Sequence, residues 1–277
     1  MVVTASSPSK TLIVKKLKKL EDWFLDIPGT ITAFSGGIDS TLILFLSKKM
    51  IGEKALGCIS ISPSLKQSDY SLAIDFCKKE NIPLQIIETK EIDDPNYFNN
   101  PVNRCYFCKS HLYEHLSSIQ QQYPDRVLLN GTNADDLGDY RPGLKAADEM
   151  GVRSPLAECG IDKNMVRAIA LYLELPHWNK PASPCLSSRI PYGSTVTREK
   201  LRQIESAEKI LFDLGFEVVR VRHFGTRAII EVPASSIQSL ENVKDEVSTA
   251  FLSLGFESTT IVQEGFLSGK LNRTVNV

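Results

Sequence analysis

The stretch NRCYFCKS, residues 103–110, sets Cys105 and Cys108 three positions apart, and PCLSSR, residues 184–189, adds a third cysteine, Cys185. Paired thiols at this spacing serve a structural zinc site, a redox dithiol or an iron–sulfur centre. Three thiolates bind three irons of a cubane cluster and leave the fourth open to an exogenous sulfide, whereas four would close it. A structural zinc wants four protein ligands, and the only further one on offer is His111, six residues after Cys105. A redox dithiol leaves Cys185 without a part. The remaining cysteines read differently: Cys58 falls in a strand pattern and Cys77 on an apolar helix face, as small core residues do. Cys159, in LAECGID, stands in an irregular stretch and is placed outside the site.

A second constellation is SGGIDS, residues 35–40. Gly36 and Gly37 let backbone N–H groups approach an anion and allow positive φ. Ser35 and Ser40 add hydroxyl donors, and a helix starting after the loop supplies its positive end. Such a turn cradles phosphate. Asp39 would repel a bare phosphate, but it suits a Mg²⁺ ion bridging the two. The bland alternative is a strand-to-helix turn capped by Asp39. The polar turn NGTN, residues 130–133, weakens it, because Gly131 and Thr132 also follow a strand and belong at the same carboxyl edge of a sheet, where ligands of open α/β sheets bind. The loop is neither a Walker A sequence nor G-x-G-x-x-G.

A third feature is Val219-Arg220-Val221-Arg222. On a strand both guanidiniums leave one face, roughly 7 Å apart, and a pair so placed suits a phosphate. The competing reading is a solvated outer face with the valines packed inward. Glu231, expected on the neighbouring strand, is placed to orient an arginine.

The elements that carry these residues alternate. Strands are expected at Thr30–Phe34, Leu56–Ser62, Leu84–Ile87 and Arg126–Asn130, with helices at Ser40–Met50, Lys66–Glu80 and from Cys105 to Gln122. That order predicts an α/β fold with a parallel sheet covered on both faces. Residues 90–104 read as irregular, and so does 139–193 apart from a helix near Lys163–Glu174. From Arg198 the order becomes α-β-β-α-β: a helix to Leu214, a hairpin of Glu217–His223 and Arg227–Val232, a helix at Ser236–Leu254 and a strand at Ser258–Val262. This predicts a small α+β domain after a boundary near residue 195.

Composition narrows the partners. The 277 residues carry a formal net charge of −1, and the run Lys15–Lys19, broken by Leu17, fits the outer face of a helix. Nucleic acid is not demanded by the charge. No apolar span of about 20 residues occurs, and the polar opening MVVTASSPSK lacks the apolar centre of a signal peptide. No membrane partner and a cytoplasmic location are expected, where six cysteines do not form a disulfide framework.

SGGIDS, between its strand and helix, resembles the SGGxDS signature of the PP-loop ATP pyrophosphatases. The resemblance implies cleavage of ATP between its α and β phosphates, with Ser35, Gly36, Gly37, Asp39 and Ser40 holding phosphates and Mg²⁺, Ser60 and Ser62 near the adenosine, and Gly131 and Thr132 forming a second nucleotide contact. Segments DYRPGLKA (139–146), NKPASPCLSSRIPYG (179–193) and VRVRHF (219–224) look like the LarE family of pyridinium-3,5-biscarboxylic acid mononucleotide sulfur transferases. This likeness runs from about Thr30 to near the C-terminus. It implies a Rossmann-like PP-loop domain (1–194) and a small α+β domain (195–277) for substrate binding or oligomerisation. It also implies a substrate phosphate at Arg220 and Arg222, with Ser188 and Arg189 over the reacting carboxyl group. Some members sacrifice a lone loop cysteine; others join a C-x-x-C to it and hold a [4Fe-4S] cluster carrying a removable sulfide, the pattern of Cys105, Cys108 and Cys185. A homo-oligomer, a hexamer built as a trimer of dimers, is implied as well. The alternatives are a PP-loop tRNA thiolation enzyme, an amide-forming ligase such as a GMP or NAD synthetase, and a nucleotide-binding regulator with no catalysis.

Overall fold

A computed structural model describes residues 8–138, 141–181 and 183–265. In chain order its longer elements begin with α1 (Lys10–Trp23), β1 (Thr30–Ala33), α2 (Ile38–Ile51), β2 (Ala55–Ile61), α3 (Gln67–Lys79) and β3 (Leu84–Glu88). There follow α4 (Pro95–Phe98), α5 (Arg104–Gln120), β4 (Val127–Leu129), α6 (Pro142–Glu149), α7 (Pro155–Glu158) and α8 (Lys163–Tyr172). The chain continues with α9 (Arg198–Asp213), β5 (Arg220–Phe224), β6 (Arg227–Glu231), α10 (Ile237–Asn242), α11 (Lys244–Ser253) and β7 (Ser258–Ile261).

The chain divides into two compact units. The first takes Met1–Ser62, Gln67–Lys90 and Cys105–Ser183, and the second takes Pro63–Lys66, Glu91–Arg104 and Pro184–Val277. In the first, four parallel strands lie in the order β3-β2-β1-β4. Strand β1 is buried along its whole length. Ile31, Leu56 and Leu128 of three strands pack with Tyr113, Leu116 and Ile119 of α5. Helix α2 is apolar nearly all round, with Leu42, Ile43, Leu44 and Leu46 fully buried, as expected of a core helix. Each such side chain contributes about 1.5–3 kcal/mol relative to exposure. The central strand and this helix flank residues 34–37, so the phosphate loop is held between the two most buried elements around it.

The second unit has a three-stranded sheet, β5-β6-β7, antiparallel between β5 and β6 and parallel between β6 and β7. Val221, Ala228 and Ile230 pack with Ala207 and Leu211 of α9 and Phe251 of α11. Asn100, fully buried and at φ +52°, donates from Nδ2 to the carbonyls of Ile190, Pro191 and Ser194. This amide, with the Gly193 and Val196 N–H groups donating to the Asn100 and Phe98 carbonyls at 2.9 and 2.8 Å, joins residues 91–104 to the chain after Pro184.

Four elements differ from expectation. Helices α6 and α7 both lie inside a stretch read as irregular, and the opening Pro142-Gly143 of α6 masks a turn whose Ala146 and Ala147 are buried. The expected helix Ser236–Leu254 is broken at Val243 into α10 and α11, although Leu240, Val247 and Phe251 still enter one core. Pro95–Phe98 forms a short helix capped by Asp94, which accepts from the Asn96 N–H at 2.8 Å. Among the described residues no helix is long and apolar enough to cross a membrane.

Candidate functional site

The nucleotide loop is assembled within the first unit. Gly36 takes φ +72°, and a Cβ there would stand 2.9 Å from the Asp69 carbonyl oxygen on α3. Glycine is therefore required on both conformational and steric grounds. Gly37 is the N-cap of α2 and offers no side-chain hydrogen bond, which leaves first-turn N–H groups of α2 for an anion. The hydroxyls shape the loop: Ser40 Oγ donates to the Gly37 carbonyl at 3.0 Å and lies 3.1 Å from Ser35 Oγ, while Thr41 Oγ1 donates to the same carbonyl at 2.9 Å.

The second polar turn lies directly against this loop. A Cβ on Gly131 would meet Ser40 N at 2.6 Å and Asp39 C at 3.0 Å, so only glycine permits the approach. Asn130 Oδ1 accepts from the Thr132 N–H and the Ser154 hydroxyl, whereas its Nδ2 is buried with no hydrogen-bond partner. Asn133 Nδ2 donates to Asp39 Oδ1 at 3.3 Å, and the Lys163 ammonium pairs with Asp39 Oδ2. Ser60 Oγ, near the carboxyl end of β2, is 2.6 Å from Thr89 Oγ1, and Ser62 follows that strand. Mg²⁺ is commonly held by one or two carboxylates together with substrate phosphates. The single carboxylate Asp39 fits that role.

Lys163 did not emerge from sequence reasoning, though a signal existed. It is the first residue of α8, after the cap Asp162, where a helix dipole disfavours a cation. A lysine there requires a nearby anion. A second cluster also went unread: Asp69 accepts from Lys180 Nζ and, at 2.8 Å, from Ser183 Oγ. The carboxylate of α3 thus holds the segment leading to Cys185, while its carbonyl abuts Gly36. Asp139, Tyr140 and Ala182, within the motifs noted above, lie outside the described residues.

The cysteines separate by exposure. Cys105 is exposed and Cys108 half-buried, in the first and second turns of α5. Cys185 is exposed in the second unit. Burial pushes the Cys58 and Cys77 thiols up to about 12 and raises that of Cys159. Among the described residues no group of three or more His, Cys, Asp or Glu side chains forms a metal site.

In the second unit the loop bearing Cys185 is locked from within. Arg189 is 1% exposed. Its Nη1 donates to the Pro184 carbonyl at 2.7 Å, the Cys185 carbonyl at 3.2 Å and Ser188 Oγ at 2.9 Å. Its Nε and Nη2 hold the two oxygens of Glu208 at 2.8 and 3.2 Å. With every nitrogen committed inside the unit, this guanidinium clamps the loop that carries Cys185 and Ser188. Glu208 also receives Lys66 Nζ at 2.6 Å and the Val221 N–H at 3.2 Å. Burial opposes its charge, but Arg189 and then Lys66 overcome that and hold its carboxyl below the ordinary value.

Arg222, 4% exposed, gives Nε and Nη2 to Glu231 Oε2 at 3.0 and 2.9 Å and Nη1 to the Ser188 carbonyl at 3.0 Å. Arg220 is half-buried on the same strand face. Burial, and then the guanidiniums of Arg189 and Arg222, push its pKa down to about 10. At that value the Arg220 guanidinium stays charged at neutral pH.

Comparison with known proteins adds lineage to this geometry. The NAD synthase family model matches residues 15–101. An uncharacterized protein of Synechocystis sp. is 42% identical over 95% of this chain and 99% of its own length. The pyridinium-3,5-bisthiocarboxylic acid mononucleotide synthase of Lactiplantibacillus plantarum is 36% identical over 90% of this chain and 91% of its own. More distantly, a component of the glutamine-hydrolyzing GMP synthase of Sulfurisphaera tokodaii is 28% identical over 67% of this chain and 55% of its own. The glycine loop, the second turn and the parallel sheet define a PP-loop nucleotide-binding protein that uses ATP with Mg²⁺. Within that class the chain belongs to the LarE family of ATP-dependent sulfur transferases.

Proposed function

We propose that this protein uses ATP to adenylylate a carboxylate of pyridinium-3,5-biscarboxylic acid mononucleotide and converts it to a thiocarboxylate, a step towards a nickel-pincer nucleotide cofactor. The observation that carries the sulfur chemistry is the sorting of the thiols: Cys58, Cys77 and Cys159 are buried, while Cys105, Cys108 and Cys185 reach solvent. The full-length similarity to the Lactiplantibacillus plantarum synthase supports the substrate.

The first unit does the phosphate chemistry. First-turn N–H groups of α2, with Ser35 and Ser40, receive the phosphates, and Asp39 holds Mg²⁺; Ser60, Ser62, Gly131 and Thr132 complete the nucleotide contacts. A carboxylate oxygen bonds to the α-phosphorus, the bond to the bridging oxygen breaks, and pyrophosphate leaves. A sulfur nucleophile then attacks the acyl carbon and AMP departs with the oxygen. Arg220 and Arg222 take the phosphate of the substrate, Arg222 held by Glu231; their contribution is positioning. Ser188 and Arg189 sit over the reacting carboxyl group, Arg189 also keeping the loop in shape. Cys105, Cys108 and Cys185 would be the ligands of a [4Fe-4S] cluster, and such a cluster would supply the sulfide for transfer. The reading includes a PP-loop domain over 1–194, an α+β domain over 195–277, a cytoplasmic location and a homo-oligomer built as a trimer of dimers.

The test is Cys185→Ala with ATP and the pyridinium dicarboxylate nucleotide. Pyrophosphate release should persist while thiocarboxylate, read by mass spectrometry, falls to background. Wild-type sulfur transfer by the variant would remove Cys185 from the mechanism.

A further inference from the structure

We propose that Lys163 is a resident counter-ion of the nucleotide loop: its ammonium neutralises Asp39 in the absence of metal and passes to a phosphate oxygen when Mg²⁺ occupies that carboxylate. This rests on the ATP-binding reading above and adds a residue to it.

The placement of the lysine supports the assignment. Asp39 lies in the first turn of α2, two residues after the Gly37 cap, where the loop is built to receive negative charge. A bare carboxylate there opposes a triphosphate. Both Asp39 oxygens are engaged, Oδ1 by Asn133 Nδ2 at 3.3 Å and Oδ2 by the Lys163 ammonium. Lys163 also stands at the end of α8 least hospitable to a cation, so its own helix does not account for it.

The pair is also built to part. The Lys163 backbone is fixed, its N–H donating to Asp135 Oδ2 at 3.0 Å, with Asp162 capping the Met165 N–H at 2.8 Å. The side chains are 30% exposed for Lys163 and 21% for Asp39, so the ion pair is at the mouth of the loop rather than in the core. A divalent ion on Asp39 repels the ammonium, and the four-carbon stem can swing without moving α8. The anchored Asn133 amide, being neutral, has no reason to follow.

Isothermal titration of the full chain with ATP in EDTA and with ATP in excess Mg²⁺ separates this role from a structural strut. Lys163→Met exposes Asp39 to the phosphates, so affinity for metal-free ATP should fall by about tenfold or more while affinity for Mg-ATP falls by only about threefold. Adding Asp39→Asn to Lys163→Met should return metal-free binding to within about threefold of wild type, and Lys163→Arg should bind metal-free ATP as the wild type does. Equal weakening of both forms by Lys163→Met, or no recovery in the double variant, overturns the proposal. Failure of the wild type to bind either form would instead remove the nucleotide-site reading itself, and the proposal with it.

Discussion

At the scale of single residues, burial divides six chemically identical thiols into two classes. Thiolate, not thiol, reacts with alkylating agents, and burial alone holds Cys58 and Cys77 at about 12. Iodoacetamide on the native, metal-free protein at neutral pH should modify Cys105, Cys108 and Cys185, with Cys58, Cys77 and Cys159 reacting only after denaturation. Peptide mass spectrometry decides it, and native labelling of Cys77 would contradict the assigned core. Residue types that act within one short window were legible in the sequence, as SGGIDS was, because the chain itself supplies their spacing. Lys163 with Asp39, and Lys66 with Glu208, were not: the partners are 124 and 142 positions apart, and nothing local names the partner of either lysine. Glu208 shows what such hidden pairing does to stability. Its carboxyl binds a proton less readily folded than unfolded, so its contribution is complete above the unfolded value near pH 4.3 and disappears as pH falls through the lower folded value. Glu208→Gln leaves Arg189 and Lys66 without their anion and should lose about 3–5 kcal/mol at pH 7. Urea midpoints from pH 7 to 3 should show a shallower acid decline for the variant, and parallel curves would mean that Glu208 is not the titrating group.

At the scale of elements, close approach of backbones positions the site more than any side chain does. Gly131 is the clearest case, because the second turn touches the first turn of α2 where a Cβ would lie 2.6 Å from a backbone nitrogen. Gly131→Ala should cost about 1–3 kcal/mol of stability. Since the displaced atoms are those that meet phosphate, it should also raise KM for ATP by about tenfold. Thermal unfolding and pyrophosphate-release kinetics read the two effects, and an unchanged KM would separate the turn from the nucleotide. The order of strands and helices was readable from period and alternation alone, down to the parallel sheet. What escaped were features without periodicity. Helix α6 is too short and opens on Pro142-Gly143, and the break at Val243 interrupts a helix whose apolar pattern continues across it. The joining of residues 91–104 to the chain after Pro184 rests on polar bonds of Asn100, Tyr97 and Arg104, in a stretch with no apolar rhythm.

At the scale of the whole chain, 32 basic and 33 acidic residues nearly cancel. Proteins that bind extended nucleic acid usually show a basic excess on one face, so a tRNA substrate gains no support from charge, whereas Arg220 and Arg222 are the cations proposed for a small anionic substrate. The remaining decision is where the sulfur resides before transfer, and metal content answers it without a substrate. Protein purified without oxygen should hold about four irons and about four acid-labile sulfides per chain, with both lost in Cys105→Ala, Cys108→Ala and Cys185→Ala. Loss in all three is the informative pattern: a site needing only the C-x-x-C would survive Cys185→Ala, and a cluster held by other residues would survive all of them. Zinc in place of iron, or no metal at all, would overturn the cluster. Sulfur would then have to come from the chain itself, by attack of the Cys185 thiolate on the acyl-adenylate and elimination of the thiocarboxylate to leave dehydroalanine. That route consumes the protein in one turnover, so the mass of the chain after reaction distinguishes it: unchanged if sulfide was delivered from the cluster, lighter by one hydrogen sulfide if Cys185 was the donor.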